Sequence, residues 1–277
     1  MSGPRIILLT ILALIAFASN SLLCRVALKQ TDIDAASFTS IRLIAGAAML
    51  WLLVRIQRNT TSGSGNWLSA MALFTYAAAF SFAYVSLTAA TGALLLFGAV
   101  QATMIGYGIW IGEKLRNQQL IGLVLAIGGL VVLLLPGLAA PPLWGSLLMM
   151  IAGAAWGVYS LRGRGAGDPS KVSAGNFLRA VPLALMLSIL MQKNTVLDSA
   201  GIGYALASGA LASGFGYIVW YTVLPTLKTS SAATVQLSVP VIAALGGIVF
   251  LGEPLTLRLV LAALAILGGI GLVLMKR

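Results

Sequence analysis

From Ile6 onward the chain returns repeatedly to apolar stretches of about 20 residues, the length a helix needs to cross a hydrocarbon core roughly 30 Å thick. "IILLTILALIAFASNSLL" is the first such stretch and "LVLAALAILGGIGLVL" the last. The 277 residues are 60% hydrophobic and only 8% charged, with a mean hydropathy of +1.01. A water-soluble fold of this size needs a polar shell that such a composition cannot supply. The chain is therefore read as an all-α integral membrane protein. Arg5 and the apolar run after it resemble a signal peptide, but the run is too long for one and no small-x-small cleavage site follows, so it reads as the first span.

Punctuation by Gly, Pro and short polar clusters separates ten spans, at about 6–28, 34–56, 67–87, 91–112, 118–136, 142–162, 172–192, 200–222, 230–252 and 256–275. The breaks "TAAT" and "LPTLKT" are the weakest, which leaves eight or nine spans as the alternative. The net charge of +11 comes from Lys and Arg in short loops, and nucleic acid is not an expected partner. Arg5, Arg55, Arg58, Lys114, Arg116, Arg162, Arg164, Lys171, Lys228, Lys276 and Arg277 fall on one side of a ten-span topology. Only Lys29, Lys193 and Arg258 fall on the other, which predicts cytoplasmic termini.

The two ends of the spans' sequence repeat one another. "WIGEKLRNQQLIGLVLAIGG" returns as "FLGEPLTLRLVLAALAILGG", so that Gly112-Glu113 and Gly128-Gly129 match Gly252-Glu253 and Gly268-Gly269. Arg25 and Arg42 match Arg162 and Arg179, and Tyr84 matches Tyr217. Five spans per half is an odd number, so the second copy enters from the opposite face: two inverted five-helix repeats, residues 1–137 and 138–277, in one integrated transmembrane domain. The Gly-Glu pairs read as helix ends, with Gly in a left-handed cap and Glu at the dipole of the next helix. The Gly pairs, with Gly271, suggest close helix packing within the chain or in a homodimer.

Chemistry has few places to reside. There is no His, the six carboxylates fall in or beside loops, and no P-loop occurs, which argues against an enzyme, a metal site or any cofactor. The single Cys24 excludes a disulfide within the chain. A proton-coupled carrier places titratable groups inside its bundle, so their absence here predicts a facilitator or exchanger. The candidate substrate-binding residues are the polar and aromatic groups within spans: Asn20, Tyr76, Phe80, Tyr84, Gln101, Trp156, Tyr159, Ser213, Tyr217 and Gln236. For each alone, helix packing is as good a reading as substrate contact; together they mark spans 1, 3, 4, 6, 8 and 9. Trp51, Trp67, Trp110, Trp144 and Trp220 sit near span ends, as an aromatic belt does. Arg25, Arg42 and Arg179 are expected to snorkel to the headgroups, with attraction of a substrate carboxylate as the lesser alternative.

With the Gly-Glu ends, the Gly pairs and "AATVQLSVPVIAALGGIVFLGEPL" in view, the chain resembles the drug/metabolite transporter superfamily, and within it the ten-span EamA-type carriers. "ASNSLLCRVAL" and "GALLLFGAVQATMIGYGIWIGEKL" are most similar to the YddG-type amino acid exporters. The resemblance implies export of aromatic and other neutral amino acids across a bacterial inner membrane by alternating access. Val100 stands where the second half carries Pro240, with Gln101 next to it, a departure of the first-half copy from the general pattern. A lipid-facing flippase component or multi-span chaperone is the competing reading; it requires a polar groove open to lipid.

Overall fold

The computed structural model describes residues 3–57, 63–112, 116–135, 137, 140–163, 166–223, 226 and 235–274. The first half contains α1 (Gly3–Gln30), α2 (Ala35–Gln57), α3 (Trp67–Tyr84), α4 (Ala89–Trp110) and α5 (Asn117–Leu134). The second contains α6 (Leu143–Gly163), α7 (Pro169–Leu190) and α8, which is regular over Ser199–Leu206, widens to π-helical geometry over Ala207–Phe215 and is regular again over Gly216–Val223. It ends with α9 (Ser238–Leu251) and α10 (Leu257–Leu274). Among the described residues nine helices are long and apolar enough to cross a membrane, and α9 is a shorter apolar helix of 14 residues. The expected span at 230–252 is therefore helical at its C-terminal end, and residues 230–234 lie outside the described residues. So do Glu113, Arg58, Lys114, Arg164, Lys228, Lys276 and Arg277.

Helix boundaries follow local chemistry. The side chains of Asn66, Thr88, Asp168 and Asp198 accept the N–H of Ser69, Thr91, Lys171 and Gly201, capping α3, α4, α7 and α8. Gly252 ends α9 at φ 61°, and Gly112 follows α4 at φ 94°, left-handed geometry that a glycine adopts without strain.

The principal packing pairs map onto one another when the two halves are exchanged. α3 lies against α6 as α1 does against α8; α4 meets α6 as α1 meets α9; α3 meets α7 as α2 meets α8. The pairs α2–α7, α4–α9 and α5–α10 map onto themselves. That is the pattern of a pseudo-two-fold axis, and five spans per half make the repeat inverted.

The glycines of α5 and α10 divide between two roles. A Cβ on Gly122 would strike the carbonyl oxygen of Gly269, and one on Gly269 would strike that of Gly122. Gly129 is likewise closed in by Ala262, Ala265 and Ile266, whereas Gly128, Gly268 and Gly271 face open space. Trp51, Trp67, Trp110 and Trp144 are exposed, in keeping with a belt. Trp220 is not: it is 5% exposed and packs with Ala13, Val219 and the ring of Phe17, because its span turns this face toward α1. Between α1 and α9 runs a groove of about 340 Å³, lined by Ile15, Ala18, Ser19, Leu22, Ile242, Leu245, Gly246, Val249 and Phe250. Its one hydroxyl, on Ser19, is turned back to the carbonyl of Ile15, so the groove is apolar.

Candidate functional site

Residues four apart on a helix share a face, and Tyr76, Phe80 and Tyr84 run in that way along α3. Their rings form a continuous chain, with centroids 5.4 Å apart between Tyr76 and Phe80 and 4.7 Å between Phe80 and Tyr84. Trp156 of α6 meets Tyr76 at 4.8 Å and stacks on Tyr159 at 5.3 Å and on Tyr217 of α8 at 5.6 Å. Phe177 of α7 and Phe17 of α1 close on Tyr217, each at 6.1 Å. Offset and tilted rings at these separations attract one another beyond their burial. The chain of rings crosses from the first half of the protein to the second, and Trp156 at its centre is only partly buried.

Arg42 enters this cluster from α2. It is 3% exposed, so the expectation that it snorkels to the headgroups is corrected. It lies about two turns from the start of its helix, too deep for its stem to reach the headgroups once neighbouring helices close over it. Its Nη2 donates to the Tyr76 hydroxyl at 3.0 Å, and its guanidinium carbon sits 5.3 Å from the centre of the Tyr76 ring and 4.9 Å from that of Phe80. Nη1 is buried with no hydrogen-bond partner among the described residues. Two close approaches fix the backbone here. A Cβ on Gly209, in the widened part of α8, would strike the Arg42 carbonyl, and one on Gly46 would come within 2.5 Å of the Phe177 ring. The glycines let α7 and α8 seat directly against α2.

Arg25 is also buried, at 5% exposure, and for a different reason. Its Nε donates to Glu253 Oε1 at 3.1 Å, and Nη1 donates to the carbonyls of Tyr84 and Val85 at 2.9 and 3.2 Å. Glu253 Oε2 accepts the N–H of Ala89, the first residue of α4, at 2.8 Å. The expected contact of Glu253 with a helix dipole is thus made, but with α4 in the other half rather than with the helix that follows it. One ion pair ties α1, α3, α4 and the end of α9 together at a single face of the bundle. Arg179 differs from both: partly buried at the middle of α7, it donates to the carbonyl of Gly175 one turn back in the helix and to that of Ser64 ahead of α3.

The polar candidates separate. Asn20 Oδ1 accepts the hydroxyls of Ser208 at 2.9 Å and Ser213 at 3.3 Å, joining α1 to the widened part of α8. Tyr84 donates to the Ala89 carbonyl at 3.3 Å, and its ring covers Gly92, so it is part of the α3–α4 contact. The Tyr159 hydroxyl accepts from Asn176 Nδ2 at 3.4 Å, while Asn176 Oδ1 accepts the N–H of Asn66. Gln101 is buried in α4 and Gln236 half-buried ahead of α9, and no hydrogen bond or ring contact ties either to the cluster among the described residues. Sequence reasoning gave Arg42 the wrong environment and passed over Phe17, Phe177, Asn176 and Ser208. The face shared by Arg42 and Gly46, four residues on, was the available signal for the first. No local pattern marks the rest.

A two-fold bundle with its rings and buried charges turned inward, and an apolar lipid-facing groove, is the construction of a secondary transporter. The chain belongs to the EamA-like transporter family, whose pattern matches residues 4–135 and again residues 143–275. It is a multi-pass membrane transporter and not an enzyme. An uncharacterized protein of Pseudomonas aeruginosa is 59% identical over 278 residues, covering 100% of this chain and 97% of that one. The threonine/homoserine exporter RhtA of Salmonella typhimurium is 31% identical over 157 residues, 55% of this chain and 53% of its own. A crystal structure of a protein 18% identical superposes with a TM-score of 0.67 over 98% of this chain and 96% of that one, which shows a shared fold.

Proposed function

We propose that this transporter exports amino acids, aromatic and other neutral ones, across a bacterial inner membrane, with both termini in the cytoplasm. The two units that alternate are residues 1–137 and 138–277. The observation that carries the reading is the ring chain Tyr76–Trp156–Tyr217, which draws on both halves where they meet. A small-molecule site needs an apolar or aromatic wall and a few placed polar groups, and this is where the chain concentrates both. The likeness to an exporter of threonine and homoserine supports an amino acid as cargo, and the resemblance to YddG-type exporters supports an aromatic one. The apolar groove between α1 and α9 speaks against a lipid-facing flippase, which needs a polar track. Glu253, the buried carboxylate of the described residues, is committed to Arg25 and to the α4 N-terminus, so transport down the substrate gradient without obligatory proton coupling is the simplest mechanism.

The test is counterflow in proteoliposomes with radiolabelled phenylalanine, tryptophan, threonine and homoserine, run with and without a pH gradient. Exchange of aromatic substrates is expected in both conditions. Trp156→Ala should lower it at least tenfold while the protein still purifies as a folded species. Absence of exchange for all four amino acids, or uphill accumulation driven by the pH gradient alone, would reject the reading.

A further inference from the structure

A guanidinium carries five N–H donors in a rigid fork and keeps its charge at any physiological pH. In Arg42 one of those donors is satisfied, by Tyr76, and the faces of Tyr76 and Phe80 supply part of the rest through their π electrons. Nη1 remains buried and unpartnered among the described residues. Leaving a charged donor unpaired in the interior of a membrane protein is costly, so Nη1 calls for a partner outside the chain. The partner that fits a guanidinium edge is a planar two-oxygen anion, a carboxylate.

The rest of the charge inventory narrows the ligand further. An amino acid also bears an ammonium, and the charged side chain that would pair with it is a carboxylate. Of the six, Asp34 is taken by the N–H groups of Ala36, Ser37 and Val196, Asp168 and Asp198 cap α7 and α8, and Asp32 stands in the loop before α2. Glu253 is held by Arg25 and Ala89. Glu113 lies outside the described residues. The rings against Arg42 belong to Tyr76 and Phe80, with Trp156 packed on Tyr76; they suit an aryl or alkyl side chain and carry no formal charge.

We infer that Arg42 is the specificity-determining receptor for the substrate's carboxylate, and that the site demands this carboxylate while leaving the ammonium unread. The cargo class therefore extends from aromatic amino acids to aryl monocarboxylates and N-acylated amino acids, which lack a charged nitrogen. The inference rests on the transport reading above only for the word cargo; binding at Arg42 can be measured without transport.

Two measurements test it. In the first, wild-type protein in nanodiscs is melted with phenylalanine, N-acetylphenylalanine, 3-phenylpropionate and phenylalanine amide, and the rise in Tm gives apparent affinities. The three carboxylates are expected to stabilise the protein with affinities within about tenfold of one another, and the amide not at all. In the second, Arg42→Lys and Arg42→Gln are expected to lose at least tenfold in affinity for all three acids, the first by losing the planar two-donor fork and the second by losing the charge. Stabilisation by the amide equal to that by phenylalanine overturns the carboxylate role, and failure of 3-phenylpropionate to stabilise overturns the unread ammonium. Wild-type affinity in both Arg42 variants overturns the receptor. Should the variants not fold, the ligand series on the wild type decides alone. Arg42-dependent binding of acids with no amino acid counterflow leaves this inference standing and removes the proposed amino acid export.

Discussion

Asp34 holds two loops at once. Its Oδ1 accepts the N–H of Ala36 and Ser37 at 2.9 Å each, capping α2, and its Oδ2 accepts the N–H of Val196 ahead of α8 at 3.0 Å. Burial pushes its pKa up, but hydrogen bonds from Ser37, Val196 and Ala36 outweigh that and hold it below the ordinary carboxylate value. A depressed folded pKa means that the unfolded chain binds the proton more readily, so the stabilisation is complete above the unfolded value and is lost as pH falls through the folded one. Asp34→Ala is expected to lower stability by about 1–2 kcal/mol at neutral pH and to flatten the acid limb of a melting profile, read by Tm in detergent from pH 7 to pH 3. An unchanged acid limb in the variant would assign the acid sensitivity to other carboxylates. At this scale, legibility in the sequence depended on locality. The left-handed Gly252 and the four exposed tryptophans follow from neighbours within a turn. Arg25, Arg42 and Trp220 do not, because what buries them comes from helices far along the chain: Glu253 is 228 residues from Arg25.

The apolar runs gave the elements nearly in full, since the thickness of a bilayer sets their length. What they could not give was the widening of α8. Its sequence, "ASGALASGF", has the small residues of any close-packed span, and the π-helical turns lie where Gly209 seats on the α2 backbone at Arg42. The glycines of α5 and α10 show the same limit, for a Gly pair in a sequence does not reveal which member faces its partner. Gly122→Ala should force the α5 and α10 backbones apart, because the new methyl meets the carbonyl of Gly269, and a cost of about 1–3 kcal/mol is expected. Gly128→Ala places its methyl in open space and should leave Tm unchanged or slightly raised. Thermal melting of both variants in one detergent checks the pair. Equal loss from both would mean that Gly128 is covered in solution, by lipid or by a second copy of the chain.

An inverted bundle must close one face while it opens the other, and an ion pair joins the two halves at the face bearing the C-terminal end of α1. Arg25 and Glu253 join α1 and the end of α9 to the α3–α4 turn. Removing one partner of a buried pair leaves an uncompensated charge and is far more costly than removing both. For a carrier with two nearly balanced states, that cost shifts the population toward the state in which Arg25 reaches water. Cys24, adjacent to Arg25 and fully buried, is the chain's single cysteine and hence a built-in reporter of that shift. Glu253→Gln is expected to raise the labelling rate of Cys24 by a membrane-impermeant maleimide severalfold, and only from the face where α1 ends. Inside-out and right-side-out vesicles distinguish the faces, and the charge bias of the loops predicts that this one is periplasmic. Faster labelling from both faces would indicate general loosening, which a parallel fall in Tm would register. Unchanged labelling with a lowered Tm would make the pair a fixed strut, and the moving boundary between the halves would then have to lie elsewhere.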